Sequence, residues 1–414
     1  MREMKDSGVA WVGAMPEDWT VKRGKFTLKL LNRPVKDTDD VITCFRDGEV
    51  TLRTNRRTDG FTFSVKEIGY QGIETGDLVI HGMDGFAGSI GISDSRGKSS
   101  PVLVVCDTDE NKRYIMYYLR SMAYNDVFTA LSTGIRVRSC DLRWNKLAEL
   151  PYILPSFIEQ DKIVSAIESS TSKVDVLIAN VQAQIEKLKA YKQSLITEVV
   201  TKGLDPNAPM KDSGVEWIGK IPEDWEVVKT GRLFKENNRS PIGNDIPLSL
   251  SQMDGLVATD DMKESALKTS SYDNWKRVEI GDLVLNRFKA HLGVLFAANL
   301  TGIVSFHYGV YEAKRSLVPK FYEYLYHSNQ YKAILGNASN GMVVGLQNLS
   351  NLGFYSTYSL YPPYAEQEKL VSHLDKKCSE IDELIALKQS KIEKLEQYKK
   401  SLIYEYVTGK KEVV

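Results

Sequence analysis

The sequence predicts a mixed α/β, strand-rich fold in tandem duplication. Its two bodies are separated by two long antiparallel coiled-coil helices with pseudo-two-fold symmetry. Three observations lead there. Residues 4–21 return at 210–227 with 13 of 18 positions identical. An apolar pattern of helical spacing from Leu154 to Thr201 returns 207 positions later and runs through Thr408. Between each opening segment and its helix lies a body of short β-branched and aromatic runs punctuated by Gly and Asp, the pattern of strands joined by turns.

The opening segment reads Ser7-Gly8-Val9-Ala10-Trp11 and then Pro16-Glu17-Asp18-Trp19. Its copy reads Ser213-Gly214-Val215-Glu216-Trp217 and then Pro222-Glu223-Asp224-Trp225. A duplicated tryptophan pair framing a Gly-Pro turn is expected to be core or docking structure rather than a base-stacking surface. In the first body, Val41 to Phe45, Asp77 to Ile80, Ser89 to Ile92 and Val102 to Val105 read as strands, and Lys112 to Tyr124 as a helix. In the second, Asp282 to Leu285, Gly293 to Phe296 and Ile303 to Phe306 read as strands, and Pro319 to Lys332 as one helix. A Ser-x-Gly element recurs at Ser132-Thr133-Gly134 and Ser339-Asn340-Gly341, so the repeat extends through the diverged bodies.

Ser156 and Glu159, after Pro155, form a Ser-x-x-Glu capping box that starts the first long helix. Ile167, Val174, Val181, Leu188 and Leu195 fall seven apart, with Ile163, Leu177, Ile178, Ile185, Tyr191 and Val199 beside them, a coiled-coil seam. The second helix carries Leu370, Leu374, Ile381, Leu384, Ile385, Ile392, Leu395, Leu402 and Tyr406 on its matching face, with Lys388 interrupting where Val181 stood. A helix of this length needs a partner, and its own duplicate, running antiparallel, is the simplest one. The resulting division is 1–153 and 210–360 for the bodies, 154–209 for the first helix with its linker, and 361–414 for the second helix.

A 414-residue chain exceeds what one core usually serves. Apolar content of 42% and charged content of 26% are those of a globular protein, and no apolar run is long enough to span a bilayer. The polar start Met1-Arg2-Glu3-Met4-Lys5-Asp6 does not read as a signal peptide, so a cytoplasmic location without membrane association is expected. Cys44, Cys106, Cys140 and Cys378 are too scattered for a zinc site or a disulfide framework. The 54 basic and 54 acidic side chains cancel, which argues mildly against a solitary DNA binder, since phosphate neutralisation usually shows as a basic excess.

The arrangement resembles the specificity subunit of a type I restriction-modification system over essentially the whole chain. The resemblance rests on Ser-Gly-Val-x-Trp-x-Gly-x-x-Pro-x-x-Trp at Ser7 to Trp19 and Ser213 to Trp225. Pro-x-x-x-Glu-Gln at Pro155 to Gln160 and Pro362 to Gln367, and Tyr-Lys-x-Ser-Leu-Ile at Tyr191 to Ile196 and Tyr398 to Ile403, complete it. It implies two target-recognition domains, each reading one half of a bipartite, asymmetric double-stranded DNA site. It further implies a helical pair that sets the spacer and docks two modification subunits, which are adenine methyltransferases, with restriction/translocase subunits in the full complex. Ile167, Val174, Val181, Leu188, Leu195, Ile381, Ile385, Leu395 and Leu402 would serve spacing and docking. S-adenosylmethionine, ATP and Mg would belong to the partners, leaving this chain without a cofactor, metal or catalytic residue of its own.

Motifs for independent chemistry are weak. Tyr361-Pro362-Pro363-Tyr364 has the outline of an amino-methyltransferase motif but aligns with a helix start, Leu154-Pro155-Ser156-Phe157. Gly97-Lys98-Ser99 lacks the upstream glycine of a phosphate loop, and Glu110-Asn111-Lys112 reads as a turn before a helix. A helical scaffold without sequence preference, or a chain with its own methyltransferase or nuclease activity, stay as the alternatives. For base readout the sequence offers Arg53, Asn55, Arg56, Arg57, His81, Arg136 and Arg138 in the first body. The second offers Ser251, Gln252, Arg287, Lys289, His291, Gln347 and Asn348. Arg and Lys suit guanine, and Asn and Gln suit adenine.

Overall fold

The computed structural model describes residues 2–56, 67–130, 142–252, 254–262, 272, 274–340 and 348–413. The chain forms two compact units, Met1–Gln182 with Ser390–Val414, and Ala183–Gln389. Each therefore contains one body and a stretch of both long helices.

A four-stranded antiparallel sheet centres each body. In the first unit the order is Lys29–Leu30, Leu103–Asp107, Leu78–His81, Ile90–Ile92, and in the second Phe234–Glu236, Tyr308–Ala313, Leu283–Asn286, Leu295–Ala297. The central strands read as unbroken apolar runs because both sheet faces are covered. Successive side chains point to opposite faces, so Leu78 and Ile80 join one core with the Lys112–Tyr124 helix while Val79 joins another with Ile42, Val50 and Ile73. Leu283 and Leu285 likewise face the helical core, and Val284 packs with Leu248, Leu256 and Val304. The second core in each unit is roofed by two small ladders: Ile42–Cys44 with Val50–Leu52 and Gln71–Ile73 with Gly97–Ser99 in the first, Leu248–Ser251 with Gly255–Ala258 and Lys276–Val278 with Gly302–Val304 in the second. Gly97-Lys98-Ser99 is thus a strand and not a phosphate loop.

Ion pairs hidden by the divergence repeat too. Arg33 bonds Asp77, and Arg239 bonds Asp282 at 2.6 Å. Asp39 and Glu74 are bridged by Arg96, and Asp245 and Glu279 by Arg277. Arg96 precedes the second strand of its ladder in chain order, whereas Arg277 lies in the first, so the same bridge is built from opposite strands. Burial pushes the Cys44 and Cys106 thiols up to about 12, which leaves them protonated and inert.

The Lys112–Tyr124 helix forms as read, capped by Asn111, whose side chain accepts from the amides of Arg113 and Tyr114. The helix expected over Pro319 to Lys332 is two, Pro319–His327 and Asn329–Asn337. Ser328 adopts ψ 149 and its hydroxyl donates to the Leu325 carbonyl at 2.8 Å, the local side-chain bond by which serine competes with a helix.

The long helices run Phe157–Lys202 and Tyr364–Val407. Leu154 and Tyr361, read as helix starts, instead end strands Pro151–Leu154 and Tyr358–Tyr361, which pair with Thr20–Arg23 and Glu226–Lys229. Pro155 and Pro362 separate strand from helix because proline disfavours helical geometry in the residue before it. Only half of the expected capping box exists. The Glu159 amide donates to Ser156 Oγ at 3.3 Å, but the Glu159 carboxylate turns away to accept from Trp19 Nε1 at 3.1 Å.

Within each unit the helix segments run antiparallel. In the second, Lys388 donates to Gln184 and Lys192 pairs with Asp382 at 2.6 Å, so one helix climbs as the other descends. In the first, Lys399 pairs with Asp175 at 2.6 Å, and Gly409, beyond the second helix, abuts Trp19, which is bonded to the start of the first helix. Ile167, Val174, Val181, Ile381 and Leu402 are buried, and Leu188, Leu195, Ile385 and Leu395 are half-buried. Three residues assigned to the seam lie outside it: Leu177, Tyr191 and Leu384 are 49%, 57% and 47% exposed. They sit on the flank, where the 3.6-residue helical turn carries a broad stripe out of contact. No helix, among the described residues, is long and apolar enough to cross a membrane.

Candidate nucleic-acid interface

The same turn follows the second sheet strand in both units. In the first unit His81 Nδ1 accepts from the amides of Met83 and Asp84 at 3.3 and 3.0 Å. In the second, Asn286 Oδ1 accepts from Phe288 and Lys289 at 3.1 and 3.2 Å. His81, read as a base contact, caps this turn through Nδ1, and its burial holds its pKa below the ordinary histidine value. The chain then returns to this turn in both units: the Leu142 amide donates to the Gly82 carbonyl and the Leu349 amide to the Arg287 carbonyl, both at 3.0 Å. The shared scaffold presents different side chains in the two halves.

In the second unit this scaffold gathers Arg287, Lys289, His291 and Asn348. Arg287 Nη2 is engaged by Glu236 Oε1 at 2.6 Å and Asn351 Oδ1 at 2.8 Å. Lys276 also bonds Glu236 at 2.7 Å, and Tyr311 donates to Asn351 at 2.8 Å, so Arg287 is anchored inside a polar network. Its Nε is buried, as is His291 Nδ1, without a hydrogen-bond partner among the described residues. Lys289 and Phe288 are exposed on the turn. Asn348 is exposed and exchanges backbone bonds with Asn340 at 2.9 and 3.0 Å. Gln347 lies outside the described residues.

Ser251 and Gln252 sit elsewhere, at the turn between Leu248–Ser251 and Gly255–Ala258. The Ser251 hydroxyl ties to Asp254, while Gln252 is exposed. Arg53 and Asn55 do not correspond to them. They follow the second strand of the equivalent hairpin, the place of Thr259–Asp261. Arg53 bonds Thr43, and Asn55 bonds Thr51 at 2.8 Å. Arg56 pairs with Asp47 at 2.7 Å and Glu49 at 2.8 Å and lies over the Phe45 ring. Arg57, Arg136 and Arg138 lie outside the described residues. The exposed groups, Asn55 and Arg56 in the first unit and Gln252, Lys289 and Asn348 in the second, can supply phosphate charge and amide pairs for base edges.

The sequence reading missed how the duplicated Glu-Gln pairs work. Glu366 accepts from Trp225 Nε1 at 2.9 Å as Glu159 does from Trp19. Gln160, fully buried, accepts from the Asn111 amide at 2.9 Å and donates to the Pro155 carbonyl at 3.1 Å. Gln367, also fully buried, accepts from the Val318 amide and donates to the Pro362 carbonyl at 2.8 and 2.7 Å. Each long helix is thus locked to its own body by side chains that recur in both halves. Their repetition beside two tryptophans was the available signal.

Two strand-rich bodies of one fold, with unlike loops and like helix locks, define a tandem-duplicated two-body protein. Comparison with known proteins finds chains similar to this one over nearly its whole length. The chain is 24% identical over 421 residues to the type I restriction enzyme MjaVIII specificity subunit of Methanocaldococcus jannaschii, covering 96% of this chain and 93% of that one. It is also 24% identical over 431 residues to a second protein of that organism, provisionally named the type I restriction enzyme MjaX specificity subunit, with 96% and 95% covered. Its fold matches a chain from a structural study of complex assembly and conformational transition of the type I R-M system (TM-score 0.68, 14% identity, 95% and 98% covered). It also matches the HsdS subunit from Thermoanaerobacter tengcongensis (TM-score 0.51, 16% identity, 95% and 98% covered). No protein-family model matches. The chain is a homologue of type I restriction specificity subunits over nearly its whole length, and it has their fold.

Proposed function

We propose that this chain is the non-catalytic DNA-recognition subunit of a type I restriction-modification complex, each body reading one half of a bipartite, asymmetric site. The observation that carries this reading is the contrast inside the duplication. Helix locks are repeated residue for residue, while the turns on the shared scaffold carry His81 in one unit and Asn286, Arg287 and Lys289 in the other. Two readers of different sequence on one chain bind one duplex together, and the second contact gains from the effective concentration set by the first. The helical pair fixes the number of base pairs between half-sites.

Two modification subunits dock on the helices. Leu177 and Leu384 are duplicates of each other, as are Tyr191 and Tyr398, and all four are exposed. The Lys399–Asp175 pair puts Tyr398 and Leu177 at one level of the first unit, and the Lys192–Asp382 pair puts Tyr191 and Leu384 at one level of the second. The same apolar pair is offered twice, as a partner bound twice requires. S-adenosylmethionine, ATP and Mg are used by the modification and restriction/translocase partners.

The test is a domain exchange. Replacing residues 210–360 by those of a diverged homologue, in the complex with modification subunits, is expected to change one half of the methylated site and leave the other. Altered methylation in both halves would refute the division of labour, and methylation by the chain alone would refute the non-catalytic role.

A further inference from the structure

The two copies of the opening segment differ in what covers their first tryptophan. In the first unit Trp11 packs against Tyr118, with ring centroids 5.4 Å apart, and against Tyr404, 6.2 Å away. The Tyr404 hydroxyl donates to the Trp11 carbonyl at 3.1 Å. In the second unit Trp217 packs edge-on against Tyr331 at 4.9 Å, but the residue equivalent to Tyr404 is Thr197. A cleft of about 670 Å³ opens there, lined by Gln193, Ser194, Thr197, Trp217, Asn329 and Tyr331 among others. The Thr197 hydroxyl is turned back onto the Gln193 carbonyl of its own helix at 2.9 Å and does not fill it.

We propose that this cleft is a binding site for a hydroxyl-bearing aromatic ring of the phenol type. The first unit shows the ligand's shape, because Tyr404 is the side chain that the same scaffold accepts when the position is filled. A phenol in the second unit takes the place of the Tyr404 ring, covers the half-buried Trp217 and donates to its carbonyl. The volume lies within the usual range for small-ligand sites, and the lining has the required mixture of an aromatic wall and a few convergent polar groups. The neighbouring Tyr331 is fully buried, and its hydroxyl has no hydrogen-bond partner among the described residues.

The chemistry fits both a free phenol and a tyrosine side chain, so the full-length chain is titrated with p-cresol and with N-acetyltyrosinamide, without DNA or partner subunits. Saturable one-to-one binding of p-cresol is expected at a Kd of about 1 mM. Binding of N-acetyltyrosinamide as well assigns the site to a side chain presented by a polypeptide, and binding of p-cresol alone assigns it to a free phenol. Thr197→Tyr, which fills the cleft from within, is expected to weaken binding at least tenfold. Tyr404→Thr, which opens the equivalent place, is expected to raise the stoichiometry from one to two and keeps the test informative if the first variant does not fold. Absence of saturable binding to the native chain, equal binding by Thr197→Tyr, or a stoichiometry unchanged in Tyr404→Thr overturns the proposal. Because no DNA is present, these results are independent of the recognition function.

Discussion

The Trp225 indole donates to the Glu366 carboxylate at 2.9 Å, and it does so within the first turn of the second long helix. The Trp19 indole treats Glu159 identically. Glu159 gives up a local capping bond for this tertiary one, whereas Glu366, with Pro363 at the cap, has no local N–H to accept from; each glutamate ties its helix to its own body. The helix start is thereby fixed in direction as well as in position. Trp225→Phe keeps an aromatic ring, deletes the donor and, because Trp225 is fully buried, also leaves a small cavity. Because the half-buried carboxylate then loses its partner, a stability loss of about 1–2 kcal/mol is expected in denaturant titration. A double-mutant cycle with Glu366→Gln isolates the pair, and a coupling near zero would show that the bond contributes nothing.

Gln367 should matter more than its type suggests. It is fully buried and satisfies the Val318 amide and the Pro362 carbonyl together. Gln367→Ala leaves both without that partner, at a cost of about 2–4 kcal/mol. Gln367→Glu replaces the donor to Pro362 with an acceptor and is expected to be no better than alanine above neutral pH. A variant as stable as the native chain would exclude the lock.

Burial lowers the His327 pKa to about 4, with Lys332 and Lys320 adding repulsion. The unfolded imidazole takes up its proton near 6.5, so between those values the unfolded state binds more protons and stability falls as the pH drops. The loss approaches about 3 kcal/mol at pH 4. His327→Leu removes this dependence: the difference in stability between native and variant chains should shift toward the variant from pH 6.5 to 4. A difference independent of pH over that window would show that His327 is accessible to protons when folded.

Much of the fold was legible because duplication supplied an internal alignment. The sheet strands at Leu78–His81, Ile90–Ile92, Leu103–Asp107, Leu283–Asn286 and Leu295–Ala297, the Lys112–Tyr124 helix and the seam positions Ile167, Val174 and Ile381 follow from apolar period and repeat, whereas the strands Lys29–Leu30, Phe234–Glu236 and Tyr308–Ala313 were not read. The break at Ser328 was not legible, since a serine hydroxyl bonding the Leu325 carbonyl leaves the apolar spacing on either side intact. The exposed flank at Leu177 and Leu384 was missed because periodicity records which residues are apolar and not which are covered. In the candidate interface, residue type suggested His81 and Arg287 as readers, while the partners that position them were not legible because they are set by tertiary neighbours. His81 caps a turn and Arg287 is held by Glu236, contacts for which the sequence has no local sign.

Lys388 stands where the first copy of the seam has Val181. It is half-buried and donates to Gln184 Oε1 at 2.6 Å, so the interruption is answered by one polar contact across the pair. A polar group within an apolar seam costs stability and favours one register. Lys388→Leu is expected to raise stability by about 1 kcal/mol through added apolar burial. A fall in melting temperature would show that the Lys388–Gln184 bond outweighs it.

The duplicated exposed pairs make the partner count testable. If one modification subunit docks on Leu177 with Tyr398 and another on Leu384 with Tyr191, a charge placed on one pair should remove one partner and spare the other. Tyr398→Glu adds a charge at a residue already 53% exposed, so the fold should tolerate it, while the desolvation needed for docking becomes unfavourable. Native mass spectrometry with modification subunits in excess is expected to show two bound to the native chain, one to Tyr398→Glu, and none to the Tyr191→Glu/Tyr398→Glu double variant. Retention of two partners by the double variant would move the docking surface elsewhere on the chain.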